Sequence, residues 1–296
     1  MNTRWIMIRI GILQLTQMLD DAVEGFQEGL QALNVKAEFI YRNADGQPSR
    51  LPQLAAELAA ADVSLIFACT TPSALAAIAL PAAIPVVYTP VFDPVGAGLA
   101  ASLEQPGGNA TGVSGMVAAA EKITFMRRLL PNLSRLGILF HTQDTNAQLE
   151  MKHFRQAASA AGLCCIEIPL EKAEDISSLP QLLPEGLDAV FLPIGKALED
   201  NFASIVYYTD ALSLPIVASH APNVPAGALG ALVADHRQLG KACAAKAAAI
   251  LNGTPAGSIA VDIVKEPHIL LNSFAAMNLG LELAADLQAE AREIFE

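Results

Sequence analysis

Short apolar runs alternate with amphipathic segments along the chain, and this alternation predicts a β-α-β-α series. In the first helical segment Val23, Phe26 and Leu30 recur at the spacing of one helix face. The same pattern predicts strands over 6–15, 37–41, 63–68, 85–89 and 111–114, and helices over 22–33, 50–60 and 73–80. Such an order favours parallel strands with helices on both faces of the sheet.

The series then starts again. The pattern predicts helices over 119–130, 146–161, 198–213 and 241–251, strands over 136–140, 164–168, 189–193 and 215–218, and one strand with one or two helices from His268 onwards. "IPVVYTP" and "LPIVASH" occupy equivalent places in the two halves. We therefore expect an α/β fold of two doubly wound parallel-sheet lobes.

Lobe bounds follow from where the series restarts. Lobe 1 is predicted over 1–116 with 237–262 returning to it, and lobe 2 over 117–236 with 263–296 packing near the hinge or lobe 2. The joint near 115–118 is short, and several short crossings predict a hinge with a cleft. Ligands of open α/β sheets bind at the carboxyl ends of strands, so strand-end loops are expected to face that cleft.

Composition limits the class of protein. The 296 residues are 53% hydrophobic and 16% charged, which is typical of a soluble globular chain, and the net charge of −12 disfavours nucleic acid as a partner. No stretch predicts a transmembrane helix. Because Arg9 interrupts the first apolar run, the N-terminus is not typical of a signal peptide, so either the protein is cytoplasmic or a signal was removed.

Motifs for metals and cofactors are missing from the sequence. The cysteines have no C-x-x-C spacing and are expected to be buried thiols: Cys69, Cys164, Cys165 and Cys243. The histidines are scattered without the spacing of paired metal ligands: His141, His153, His220, His236 and His268. The first strand leads into "GILQLTQ" rather than a glycine-rich dinucleotide loop, and neither a P-loop nor a G-x-S-x-G elbow occurs. We expect no cofactor and no metal.

Hydroxyl side chains follow the third predicted strand in "TTPSALAA", from Thr70 to Ala77. Pro72 suits the first helical position with Thr71 as N-cap, which would point the N–H groups of Ser73 and Ala74 outwards. A carboxylate or phosphate fits such a helix N-terminus. The alternative is a satisfied N-cap with no ligand.

Other strand ends carry further candidates. In "YTPVFDPVGAGL", Thr89 and Asp93 can reach the predicted cleft and Phe92 can form a wall, although Asp93 can equally cap a turn. In the second half, Asp144 or Thr145 can cap the helix that begins at Asn146, or Asn146 can meet a ligand instead.

Ile194 and His220 follow later strands, and a lone histidine is also a common structural hydrogen-bonding group. The predicted cleft is rich in amides and hydroxyls but offers no confident acid/base pair, which favours a binding pocket. The alternatives are an enzyme acting on a small carboxylate and a ligand-sensing domain.

Several segments resemble the ABC-transporter substrate-binding protein family that includes the tryptophan/tyrosine-binding proteins. The resemblance covers nearly the whole chain: "IGILQL", "TTPSALAA", "DPVGAGL…PGGNATGVSG", "LLPNLSRLGILF" and "LGKACAAKAAAILNG". It implies a two-lobed type I periplasmic-binding-protein fold, a small ligand such as an aromatic amino acid, a membrane permease as partner, an extracytoplasmic location and a monomer. The pocket residues it implies are Gln14, Thr71, Ser73, Thr89, Asp93 and Asn146.

The second lobe departs from the family pattern. Where such proteins commonly read Pro-Thr-Asp this chain reads Pro193-Ile194-Gly195, and where they commonly read Gly-Asp it reads Ser219-His220. A ligand ammonium needs an acidic partner in a desolvated site. We therefore expect weaker selection for the ammonium, with Asp93, Asp144 or Asp235 as the remaining acids.

Overall fold

A computed structural model describes residues 7–17 and 20–296, so the predicted strand residue Ile6 lies outside the described part of the chain. The chain divides into two compact units. Unit 1 is the described part of Met1–Met116 with Ala234–Lys265, and unit 2 is Val117–Val233 with Glu266–Glu296. Among the described residues no helix has the length and apolar character needed to cross a membrane.

Strands and helices alternate through most of the chain. The strands are β1 (Ile8–Gln14), β2 (Ala37–Asn43), β3 (Leu65–Cys69), β4 (Val86–Val91), β5 (Ala110–Ser114), β6 (Arg135–His141), β7 (Cys164–Leu170), β8 (Ala189–Leu192), β9 (Ile216–Ala218), β10 (Gly230–Val233), β11 (His268–Asn272) and β12 (Glu293–Phe295). The α-helices are α1 (Asp20–Ala32), α2 (Leu51–Ala60), α3 (Thr71–Ile78), α4 (Ala119–Leu129), α5 (Thr145–Ala160), α6 (Leu179–Leu182), α7 (Lys196–Asp200), α8 (Phe202–Ala211), α9 (His236–Leu251), α10 (Ser273–Asn278) and α11 (Ala285–Glu290).

The sheet of unit 1 is parallel in the order β2-β1-β3-β4-β5. Apolar clusters cover both of its faces, as a doubly wound sheet requires. On one face Phe26 of α1 stacks on Phe67 of β3, with ring centroids 4.0 Å apart. Because the strands are parallel, the carboxyl ends of β1, β3, β4 and β5 lie at the same edge of the sheet.

The sheet of unit 2 has the order β12-β11-β10-β9-β8-β6-β7. The two separate sheets confirm the predicted α/β fold class. The second sheet is not wholly parallel, however, because β11 pairs antiparallel with β10. Phe154 of α5 and Phe191 of β8 stack within this unit at 4.6 Å.

Several predicted elements were wrong in detail. The helix predicted over 198–213 is two helices, because the Asn201 backbone leaves helical geometry; its side-chain amide donates to the Ala197 carbonyl at 2.9 Å. Strands β10 and β12 were not predicted, since runs of four and three residues give too little alternation. The thiols were expected to be buried, but Cys164 on edge strand β7 is exposed and Cys165 is half-buried.

Helix α9 packs closely against α1 through glycines. A Cβ added to Gly240 would lie 2.1 Å from the Ala22 carbonyl oxygen, and one added to Gly25 would lie 2.0 Å from the Arg237 carbonyl oxygen. Both distances are shorter than any real Cβ contact, so the backbones would have to separate. This approach fixes the returning segment of unit 1 against its first helix.

We predict that Gly240→Ala lowers the free energy of unfolding by about 1–3 kcal/mol because the new methyl group overpacks this contact. At a solvent-facing helix position the same glycine-to-alanine change would raise the free energy of unfolding by about 1 kcal/mol. Chemical denaturation followed by circular dichroism measures the difference. The exposed Ala245 of the same helix provides the control, since Ala245→Gly should destabilise by propensity alone. A stabilised Gly240→Ala protein would contradict close packing of these helices.

Candidate functional site

Gln14 closes β1 at the carboxyl edge of the unit 1 sheet. In the register of the sheet it lies beside Cys69, the last residue of β3. Its side chain is buried, and its amide donates to the Asp20 carboxylate at the start of α1, at 3.0 Å. Gln14 is therefore held next to the turn that leads into α3.

That turn corrects the predicted N-cap. Thr70, not Thr71, caps α3, and its hydroxyl accepts the Ser73 N–H at 3.4 Å while its carbonyl accepts the Ala74 N–H at 3.0 Å. The amides of Ser73 and Ala74 are thus bonded inside the turn and do not point outwards as predicted. The Ser73 hydroxyl lies 3.1 Å from the Thr70 hydroxyl.

Thr70 has a strained backbone. Its φ of 92° and ψ of 157° fall in a region that is occupied almost only by glycine, and a β-branched residue there costs about 1–3 kcal/mol. Residues held in such a conformation concentrate at ligand sites, where strain orients groups in advance. The strain therefore points to a functional role for the turn at the end of β3.

The candidates in β4 and directly after it make contacts within unit 1. The Thr89 side chain is wholly buried and donates to the Val113 carbonyl at 2.9 Å, so its hydroxyl serves the interior. The Phe92 side chain is buried, and its carbonyl accepts the Ser114 hydroxyl at 2.8 Å. Asp93 accepts the Gly96 N–H at 2.8 Å, which is the turn contact anticipated as its alternative role.

In unit 2, Asp144 connects the loops after β6 and β8. One carboxylate oxygen accepts the Ala147 N–H at 3.1 Å and caps α5, and the other accepts the Lys196 N–H at 3.2 Å. Asn146 lies in the first turn of α5 and is half-buried. Asp235, the other acid considered, caps α9 through the Gln238 N–H at 3.1 Å.

Glu199 and His220 lie together at the ends of β8 and β9, and sequence reasoning did not anticipate this carboxyl. His220 Nδ1 is 3.5 Å from Glu199 Oε1, and both side chains are at least four-fifths buried. Burial, with the nearby Asp144 and Asp200 carboxylates, raises the pKa of Glu199 to about 7. No local signal marks this pairing, because the periodic pattern joined α7 and α8 into one predicted helix that includes Glu199.

Ile194 is tied to a buried charged network. Its N–H donates to Glu150 Oε2 at 2.9 Å, while Glu150 Oε1 pairs with Lys122 and accepts the Ser219 hydroxyl at 2.5 Å. Lys122 also donates to the Ser219 hydroxyl at 2.8 Å. These acidic and basic residues occur on helices α5 and α4, where the sequence pattern alone gives no reason to expect buried charge.

Comparisons with known proteins place the chain in a family. The sequence model of the family described as ABC transporter substrate binding protein matches residues 9–295 of this chain. The tyrosine-binding protein of Clostridioides difficile (strain R20291) is 28% identical over 286 residues, which are 94% of this chain and 82% of that protein.

Solved structures agree with this match. The ABC domain from Streptococcus pneumonia, solved in complex with L-Trp, has a TM-score of 0.88 at 26% identity and covers 98% of this chain and 100% of its own. A conserved domain protein from Vibrio cholerae has a TM-score of 0.87 at 28% identity, covering 97% and 99%. This chain belongs to the ABC transporter substrate-binding protein family.

Proposed function

We propose that this solute-binding protein binds an aromatic amino acid and presents it, chemically unchanged, to an ABC permease. The named ligands of its relatives, tyrosine and L-Trp, support that ligand class. The same proposal includes a monomer that works outside the cytoplasmic membrane.

The observation that carries the ligand class is the position of Glu199 at the carboxyl end of the unit 2 sheet. An amino-acid ammonium needs an acidic partner when water is excluded, and Ile194 and His220 cannot supply a negative charge. Glu199 provides that charge beside His220. With Glu199 as the acidic partner, we propose that the protein selects ligands that carry an ammonium group.

We further propose that the ligand carboxylate binds at the Thr70 turn of unit 1. Because the Ser73 and Ala74 N–H groups are bonded within the turn, the support comes from the positive end of the α3 dipole and from the hydroxyls of Thr70 and Ser73. Thr71 is buried in the same turn. Gln14, next to the turn in register, completes this group of candidates.

We also propose that the protein is not an enzyme. The serine–lysine pair described above could suggest a nucleophile with its base, but its burial argues against that role. Ser219 and Lys122 are within hydrogen-bond distance, but both are nearly inaccessible and both bind the Glu150 carboxylate. A hydroxyl that donates to a buried carboxylate and cannot meet substrate is not an activated nucleophile.

We predict that tryptophan, tyrosine or phenylalanine binds in isothermal titration calorimetry, and that its analogue lacking the amine does not. Glu199 is mostly neutral below pH 7 and ionised above it, so affinity should rise between pH 6 and pH 8. Glu199→Gln should weaken binding by about 10–100-fold and flatten this pH dependence, since a hydrogen bond to a charged group is lost.

Glu167→Gln is the matched control for that experiment, because it makes the same substitution elsewhere in unit 2. Glu167 lies on edge strand β7, is exposed and pairs with Arg155, so its replacement should leave affinity nearly unchanged. Equal binding of the amine-free analogues would overturn the assignment of Glu199. Conversion of any of these compounds during incubation would overturn the non-enzymatic proposal.

We further predict that Thr70→Gly is more stable than Thr70→Ala by about 1–3 kcal/mol, because only glycine relieves the strain at this position. Elsewhere alanine and glycine have the opposite order. Both variants lack the Thr70 hydroxyl that lies beside the Ser73 hydroxyl at the start of α3. Both should therefore bind the amino acid more weakly than the natural protein. Denaturant titration and calorimetry measure the two effects; a more stable Thr70→Ala would show that the turn is unstrained.

A further inference from the structure

We propose that Glu150, paired with Lys122, is a positioning residue that fixes the two ligand-facing loops at the ends of β8 and β9. It does so by holding the Ile194 backbone and the Ser219 side chain at once. Its effect on ligand affinity rests on the proposed function, whereas its effect on the loops does not.

The Glu150 carboxylate is hydrogen-bonded to two separate segments of the chain. Its two carboxylate oxygens accept from partners on different segments: Oε2 from the Ile194 N–H at 2.9 Å, and Oε1 from the Ser219 hydroxyl at 2.5 Å and from Lys122. Ser219 and Ile194 belong to neighbouring strand ends, because the Ser219 N–H donates to the Leu192 carbonyl at 2.9 Å. One side chain therefore sets the relative position of two loops.

Burial shows that the network is not a surface ion pair. The exposed fractions of Lys122, Glu150 and Ser219 are 4%, 2% and 5%. Lys122 Nζ also lies 5.8 Å from the centre of the Phe191 ring, so its charge is enclosed by the core of unit 2. Placing two full charges there carries a desolvation cost that a packed apolar trio would avoid.

That cost argues for a role other than stability. Replacing a buried ion pair by apolar side chains of similar volume is often neutral or stabilising, whereas removing one partner is strongly destabilising. What apolar side chains cannot reproduce is the acceptor for the Ile194 amide. Ile194 leads directly into α7, which carries Glu199, and Ser219 directly precedes His220.

The test replaces the whole network in the 296-residue chain: Lys122→Met, Glu150→Leu and Ser219→Ala together, so that no charge or hydroxyl of the network is left buried without a partner. The matched control is Arg155→Met with Glu167→Leu, which removes an exposed ion pair of the same unit. Three quantities are measured: the thermal midpoint, hydrogen exchange of peptides covering 190–200 and 216–223, and affinity for L-tryptophan.

A positioning role predicts a thermal midpoint that is unchanged or higher in the triple variant. It also predicts exchange at Ile194 that is at least tenfold faster and affinity that is at least tenfold weaker. The control should match the natural protein in local exchange and affinity. Unchanged exchange at Ile194 in the folded triple variant would overturn the inference, whatever the ligand result.

The experiment separates this inference from the proposed function. If the natural protein binds no aromatic amino acid, the proposed ligand is wrong, but local exchange still decides the role of Glu150. If the triple variant does not fold, Ser219→Ala alone keeps the ion pair and removes only the connection to the β9 loop. That variant should speed exchange in 216–223 and leave Ile194 protected; no change in 216–223 would overturn the inference.

Discussion

Parallel strand pairing is the constraint on which the rest of this structure depends. Parallel neighbours cannot be joined by a tight hairpin, so most strands of both sheets lead from the carboxyl edge through a loop into a helix. In unit 1 this places Gln14 and the Thr70 turn together, and in unit 2 it places Ile194 beside Ser219. Candidate binding groups that are far apart in sequence thereby become neighbours.

Each unit uses a different physical means to fix its loops. In unit 1 the backbone of Thr70 is held in a conformation suited to glycine, and its own side chain bonds the start of α3. In unit 2 the buried carboxylate of Glu150 binds a backbone amide and a hydroxyl on neighbouring loops. Both arrangements cost free energy, by strain in one case and by desolvation in the other. Such costs are typical of binding sites that are organised before the ligand arrives.

The periodic pattern predicted the elements that carry long apolar faces, such as α1, and most strands of both sheets. It failed where tertiary contacts decide: the antiparallel pairing of β11 has no local signature, and the break at Asn201 interrupts an otherwise helical run. For the site, Asp144 was correctly considered as a cap, whereas Thr71 was wrongly chosen over Thr70. Glu199 was missed because its pairing with His220 depends on two strands meeting, which one sequence does not reveal. The remaining pocket residues stay predictions.

The central claim is that this family member holds an amino-acid ammonium at Glu199. The most direct measurement is a crystal structure of the protein grown with L-tryptophan. The account predicts electron density for the amino acid with its ammonium nitrogen within about 3 Å of a Glu199 carboxylate oxygen. Density that pairs the ammonium with other residues and leaves Glu199 bound only to His220 would contradict it.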